Sequence, residues 1–140
     1  MASTEITRGP AAVWAFVTDM PQTPRWRTTV RSVEQPDPLA VGTRFAATTR
    51  LLGKTWDWVL EVSALELEAR FAYRIVDGVA KMTVDYQLEA TESGCRFTMS
   101  AESDGDGTLA RMLKPIAART LRRESERHVA NLKRLLESPE

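Results

Sequence analysis

The sequence predicts an α+β protein of element order β-α-α-β6-α, in which a curved antiparallel sheet wraps a long C-terminal helix. Three observations predict it. A short β-like opening is stopped by Gly9-Pro10, a residue period of two is sustained from about residue 29 to 103, and an amphipathic basic segment closes the chain. A sheet that is apolar on one face has to be covered, and only that last segment is long enough to do it.

The elements follow in order. ASTEIT reads as a strand, and Pro10 suits the first position of a helix because it has no N–H to leave unpaired there. In AAVWAFVTDM, Val13, Trp14, Phe16 and Val17 recur at helical spacing. Pro21 and Pro24 then break the pattern into a second short turn ending near Trp26. A weak strand is expected around TVRSVEQ, followed by five stronger ones. In these, Phe45, Ala47, Thr49 and Leu51 share a face, as do Trp56, Trp58, Leu60 and Val62, then Ala69, Phe71, Tyr73 and Ile75, then Met82, Val84, Tyr86 and Leu88, and finally Cys95, Phe97, Met99 and Ala101. The opposite faces carry charge throughout. Gly53, Asp77-Gly78 and Ser93-Gly94 mark the turns. Asp104-Gly105-Asp106-Gly107 ends the sheet, and Asp106 or Thr108 is the expected helix cap. Pro115 predicts a short segment 108–114, a bend, and a long helix presenting Ile116, Thr120, Leu121, Leu132 and Leu135 inward.

Composition narrows the function. The 140 residues make one domain, 1–140, able to bury roughly two-thirds of its unfolded surface without staples. One Cys and one His cannot supply zinc or haem-attachment spacing, so no metal and no cofactor is expected. The lone cysteine also fits a reducing, cytoplasmic setting. MASTEITRGP has no signal-peptide run, and no stretch approaches the roughly 18 apolar residues of a membrane span, so stable membrane insertion is not expected. Charges balance at 19 against 19, whereas residues 111–140 carry 8 basic and 4 acidic side chains. Acids lie between those bases, which favours a solvated face over a nucleic-acid stripe. No GxGxxG, Walker, GxSxG or HExxH pattern occurs, so nucleotide hydrolysis, dinucleotide redox chemistry and zinc proteolysis have no support.

Three segments carry a resemblance: GPAAVWAFVTDMPQTPRW, VGTRF and the closing ARTLRRESERHVANLKRLLES. In this order and spacing the chain resembles the polyketide cyclase/dehydrase and lipid-transfer group of START-like (SRPBCC) proteins. The resemblance spans nearly the whole chain and implies the helix-grip, birch-allergen-like fold. EQPDPLAVGTRF stands where the plant branch has its glycine-rich loop, so that branch's ligand specificities are not implied.

The inner faces and the final helix nominate Phe45, Thr49, Trp56, Trp58, Phe71, Tyr73, Met82, Tyr86, Phe97, Met99, Met112, Ile116 and Thr120 as ligand contacts, a lining suited to flat or greasy molecules. Some of these rings must simply be core. The hydroxyls of Thr49, Tyr73 and Tyr86 and the thiol of Cys95 either orient a ligand or meet backbone carbonyls. Cys95 lacks a local partner to activate it and reads as a small buried residue. His128, near Leu121, Leu132 and Leu135, is placed at the packed end of the helix, away from the pocket, as a structural or surface residue, whereas Glu124 and Thr120 sit one and two turns earlier, where they either reach the pocket or, for the carboxylate, stay solvated. Three functions remain. The first is a binding or carrier protein for a lipid, isoprenoid or aromatic polyketide-like molecule, with the DGDG loop and Pro115 letting the helix start act as a gate. The second is a cofactor-independent cyclase or dehydratase using Tyr73, Tyr86 and an arginine near the entrance. The third, a partner-binding module, is disfavoured by the charged outer faces. Ligand identity and oligomeric state are not specified by these patterns.

Overall fold

The computed structural model describes residues 2–138 except 52, 79–80 and 104–107; for 51, 103, 108–118, 120 and 121 it describes the backbone alone. The chain begins with β1 (Ala2–Ile6), then α1 (Pro10–Val17), with Pro10 at its start as the sequence predicts, and a 3-10 helix Met20–Arg25. Six strands follow: β2 (Val30–Val33), β3 (Arg44–Leu51), β4 (Lys54–Glu66), β5 (Arg70–Asp77), β6 (Met82–Ala90) and β7 (Cys95–Ser103). The chain then enters α2 (Thr108–Glu137).

The strands form one antiparallel sheet in the order β1-β7-β6-β5-β4-β3-β2, so β1 returns to pair with the last strand. β4 shifts register against β5 at Val59/Leu60 and at Val62/Ala64, and β2 shifts against β3 at Val30/Ser32. Such bulges bend a strand and increase its twist, which curls the sheet toward the helix. Gly53, at φ 75°, sits in the turn between β3 and β4, a left-handed conformation that costs glycine little.

The predicted faces hold. Phe45, Ala47, Leu60, Val62, Phe71, Tyr73, Val84, Tyr86, Leu88, Cys95, Phe97 and Met99 are all buried. The opposite face is tiled by ion pairs, among them Arg70–Asp85 at 2.7 Å and Arg74–Glu61 at 2.6 Å. Exposed pairs of this kind add little stability but keep the face wet. Ala69 departs from expectation: it is exposed, in the turn before β5, where Ala69 N–H donates to Glu66 O.

The helix also departs. α2 runs unbroken from Thr108 to Glu137 with Pro115 inside it. A proline removes one ladder bond and crowds one carbonyl, a local cost of about 3 kcal/mol that the length of the helix and its packing on the sheet outweigh. Its buried positions are Ser125, His128, Val129, Asn131, Leu132 and Leu136, so the inward stripe is turned slightly from the expected one, with Leu136 rather than Leu135 innermost. The side chains of Ile116, Thr120 and Leu121 lie outside the described residues, as do the Asp106 and Thr108 caps and the gate.

The far end of α2 is clasped to β1. Lys133 Nζ donates to Glu5 O at 2.6 Å, Thr7 N–H to Glu137 Oε2 at 2.9 Å, and Arg8 to Leu136 O at 3.2 Å. Asn131 Nδ2 donates to Trp26 O at 3.2 Å, tying the helix to the segment after the 3-10 helix.

Candidate functional site

Between the curled sheet and α2 lies a cavity of about 360 Å³. Its walls come from every layer: Met20, Arg27, Thr29, Val30 and Val33 from the 3-10 helix to β2, then Ala47, Thr49, Trp56, Trp58, Leu60, Ile75, Met82, Val84, Met99 and Ala101 from the sheet. Tyr73 joins from β5, and Glu124, Ser125 and His128 from α2. Most of this surface is apolar. The volume lies at the low end of the roughly 300–1,000 Å³ usual for small-molecule sites.

The polar groups converge at one place. Arg27 donates through Nη1 to the hydroxyl oxygens of Tyr73 and, at 3.2 Å, Tyr86, and the two hydroxyls lie 3.3 Å apart. Asn131 holds the backbone at Trp26, the residue before Arg27, and Trp26 packs its ring 5.4 Å from Tyr86 and 5.8 Å from Phe97. The arginine is thus positioned by a braced turn. Burial opposes its charge, but the oxygens of Tyr73 and Tyr86 outweigh that and hold its pKa above the usual arginine value. Burial, then Tyr73, push Tyr86 well above an ordinary phenol despite Arg27, so it stays a neutral hydroxyl. No carboxylate among the described residues forms an ion pair with Arg27.

His128 is 2 % exposed, and neither ring nitrogen has a hydrogen-bond partner among the described residues. Burial first, then the positive charges of Arg27 and Arg127, drop its pKa from 6.5 to about 3. It is a neutral imidazole at physiological pH. Arg27 Nε is likewise buried without a partner. Buried polar atoms rarely remain so, and those in a cavity mark where a ligand or water belongs.

The predicted site residues fall into three sets. Thr49, Trp56, Trp58, Tyr73, Met82 and Met99 line the cavity. Phe45, Phe71, Phe97 and Tyr86 are buried in the core around it, Tyr86 meeting the lining through its hydroxyl bond to Arg27. Met112, Ile116 and Thr120 lie outside the described side chains. Thr49 Oγ1 accepts from Trp58 Nε1 at 2.8 Å, and the tyrosine hydroxyls accept from Arg27; among the described residues none of the three donates to a backbone carbonyl. Glu124, whose helical position left it either solvated or within reach of the pocket, lines the cavity. His128 corrects the expectation: it lines the cavity too, because α2 is rotated so that 124, 125 and 128 face the opening. Cys95 is buried away from the cavity lining, and burial raises its thiol pKa. Arg27, Met20 and Ser125 were not signalled by pattern. Among the described residues no group of three His, Cys, Asp or Glu side chains is placed to hold a metal ion, and no helix is long and apolar enough to cross a membrane.

This geometry, a curled seven-stranded sheet gripping a C-terminal helix around a cavity, is that of the helix-grip class. Residues 1–137 match the family described as polyketide cyclase / dehydrase and lipid transport, and the chain belongs to that family. Solved structures agree on the fold. TTHA0849 from Thermus thermophilus is 16 % identical over 94 % of this chain and 92 % of its own, with a TM-score of 0.76. CV1439 from Chromobacterium violaceum is 15 % identical over 98 % and 96 %, at 0.75. Ara h 8.0201, an allergen of the birch-pollen type, is 18 % identical over 93 % of both chains, at 0.61. A search of curated proteins finds no match.

Proposed function

We propose that this protein binds and carries a small hydrophobic molecule, of lipid, isoprenoid or aromatic polyketide-like type, in the cavity under α2. The observation that carries the reading is the mostly apolar hollow of about 360 Å³, left open where the sheet's inner face would otherwise close on the helix. A core of ordinary density leaves no void of this size unless something else fills it. Family membership supports the same class of ligand. Native mass spectrometry of protein purified from its own host tests it: one small apolar molecule per chain is expected. Protein that arrives empty and takes up neither fatty acids nor fused-ring aromatics in titration overturns it.

A second reading, a cofactor-independent cyclase or dehydratase, is favoured by one observation. Arg27, Tyr73 and Tyr86 form a polar cluster at the cavity wall, and such groups can steer protons on a bound carbonyl. That reading expects turnover that collapses in Tyr73→Phe while binding persists. Binding of polyketide mimics without any conversion counts against it.

A further inference from the structure

The cavity's polar end has more donors than acceptors. A guanidinium offers five N–H groups and accepts nothing. Two of its bonds go to Tyr73 and Tyr86, while Nε is buried without a partner. The two phenols bring two hydrogens, and only one can be spent between them across 3.3 Å. The other has no acceptor among the described residues. Across the cavity, His128 adds a ring N–H with no acceptor either. Among the described residues Glu124 is the one carboxylate on the lining, and it forms no ion pair with Arg27. A part-buried guanidinium whose Nε is buried without a partner, beside surplus donors and with no countercharge among the described residues, is matched when an anion joins it.

We infer that Arg27, with the hydroxyls of Tyr73 and Tyr86, is a head-group site for a carboxylate, so that the ligand is an amphipathic monocarboxylic acid whose apolar body lies along Trp56, Trp58 and Met82. This rests on the reading that the cavity holds a hydrophobic molecule, and it specifies the chemistry of that molecule's polar end. A fully polar anion is disfavoured because the rest of the lining offers it almost nothing. A wholly apolar ligand leaves the charge and donors unanswered.

The test compares ligands matched in skeleton and differing in charge. Ligand-stripped full-length protein is titrated calorimetrically with decanoate against decanol, and with naphthoate against naphthalenemethanol. The acid is expected to bind tighter than its alcohol by about 10- to 100-fold in at least one pair, as a charge-assisted contact implies. Arg27→Met is expected to erase that preference while alcohol binding persists. An independent readout needs no variant. Carboxyl-labelled decanoate bound to the wild-type protein is followed by NMR through a pH titration. A guanidinium partner holds the bound acid's pKa below that of the free acid, whereas an apolar pocket alone raises it. Acid and alcohol binding equally well, a bound pKa above the free value, or an acid preference that survives in folded Arg27→Met each overturns the head-group site and leaves the hydrophobic-pocket reading standing. Binding of none of the four ligands overturns both.

Discussion

Arg27 and His128 are the two side chains whose physical situation departs furthest from water. Burial of part of its side chain costs Arg27 hydration, and the oxygens of Tyr73 and Tyr86 outweigh that loss. Arg27→Met keeps the length and removes the charge, and the two phenols, 3.3 Å apart, are left to bond each other. The ligand-free variant is therefore expected to be less stable than the wild type by about 1–2 kcal/mol in urea unfolding, because the bonds donated by the guanidinium are lost. A variant as stable as the wild type, or more so, would mean that the two hydroxyls do not compensate the charge. His128 gives a pH dependence whose sign is definite. Its pKa is near 6.5 unfolded and about 3 folded, so below pH 6.5 the unfolded chain takes up a proton that the native state refuses. Its contribution therefore falls as pH drops from about 6.5 to about 3 and levels off below that. His128→Leu should flatten the loss of stability across this window relative to wild type, and parallel curves would show that the imidazole is not desolvated. Neither role was legible in the chain. Arg25 and Arg27 flank Trp26 alike, yet Arg25 stacks 5.5 Å over Phe16 on the surface while Arg27 turns inward. An irregular segment has no period from which to read that choice.

At the scale of elements, alternation was enough to place most of the described strand residues between 44 and 101, Ala69 excepted, because a strand with one wet face has only two orientations and charge marks the wet one. Turns were located by composition, but what they touch was not. Ser93-Gly94 reads as a simple hairpin turn, whereas in the fold a Cβ on Gly94 would lie 2.1 Å from Ile6 O and 2.8 Å from Arg8 N. The backbone leaving β1 passes directly over that glycine. Gly94→Ala is expected to cost about 1–3 kcal/mol and to loosen β1 from β7, seen as faster amide exchange at Ala2–Ile6. Unchanged exchange there would show that the turn yields freely. Helical faces were less legible than strand faces. A rotation of one residue moves a helix stripe by about 100°, so sequence left Leu135 or Leu136, and the placement of His128, to be decided by packing.

For the molecule as a whole, the decisive property is that the sheet and the helix stand far enough apart to leave a hollow between them. A hollow of this kind can be filled at little cost. Ala47 lines the cavity opposite Trp58 in the register of β3 and β4. Ala47→Leu should leave stability within about 1 kcal/mol of wild type while weakening binding of an apolar fluorescent probe at least about 10-fold. A loss of about 1–3 kcal/mol would mean the space is already close-packed.

By itself the sequence determined the element order, the inner and outer face of nearly every strand, the closing helix and the family, since each follows from periodicity, turn chemistry or local motif. Only the tertiary structure decided which inner residues are core and which line a void, that His128 belongs to the cavity, and that Arg27 meets two tyrosines from β5 and β6. Periodicity reports the direction in which a side chain points. Whether it meets another side chain or empty space depends on how far apart two layers stand, and that distance is set by sheet curvature and helix rotation, which no local pattern encodes.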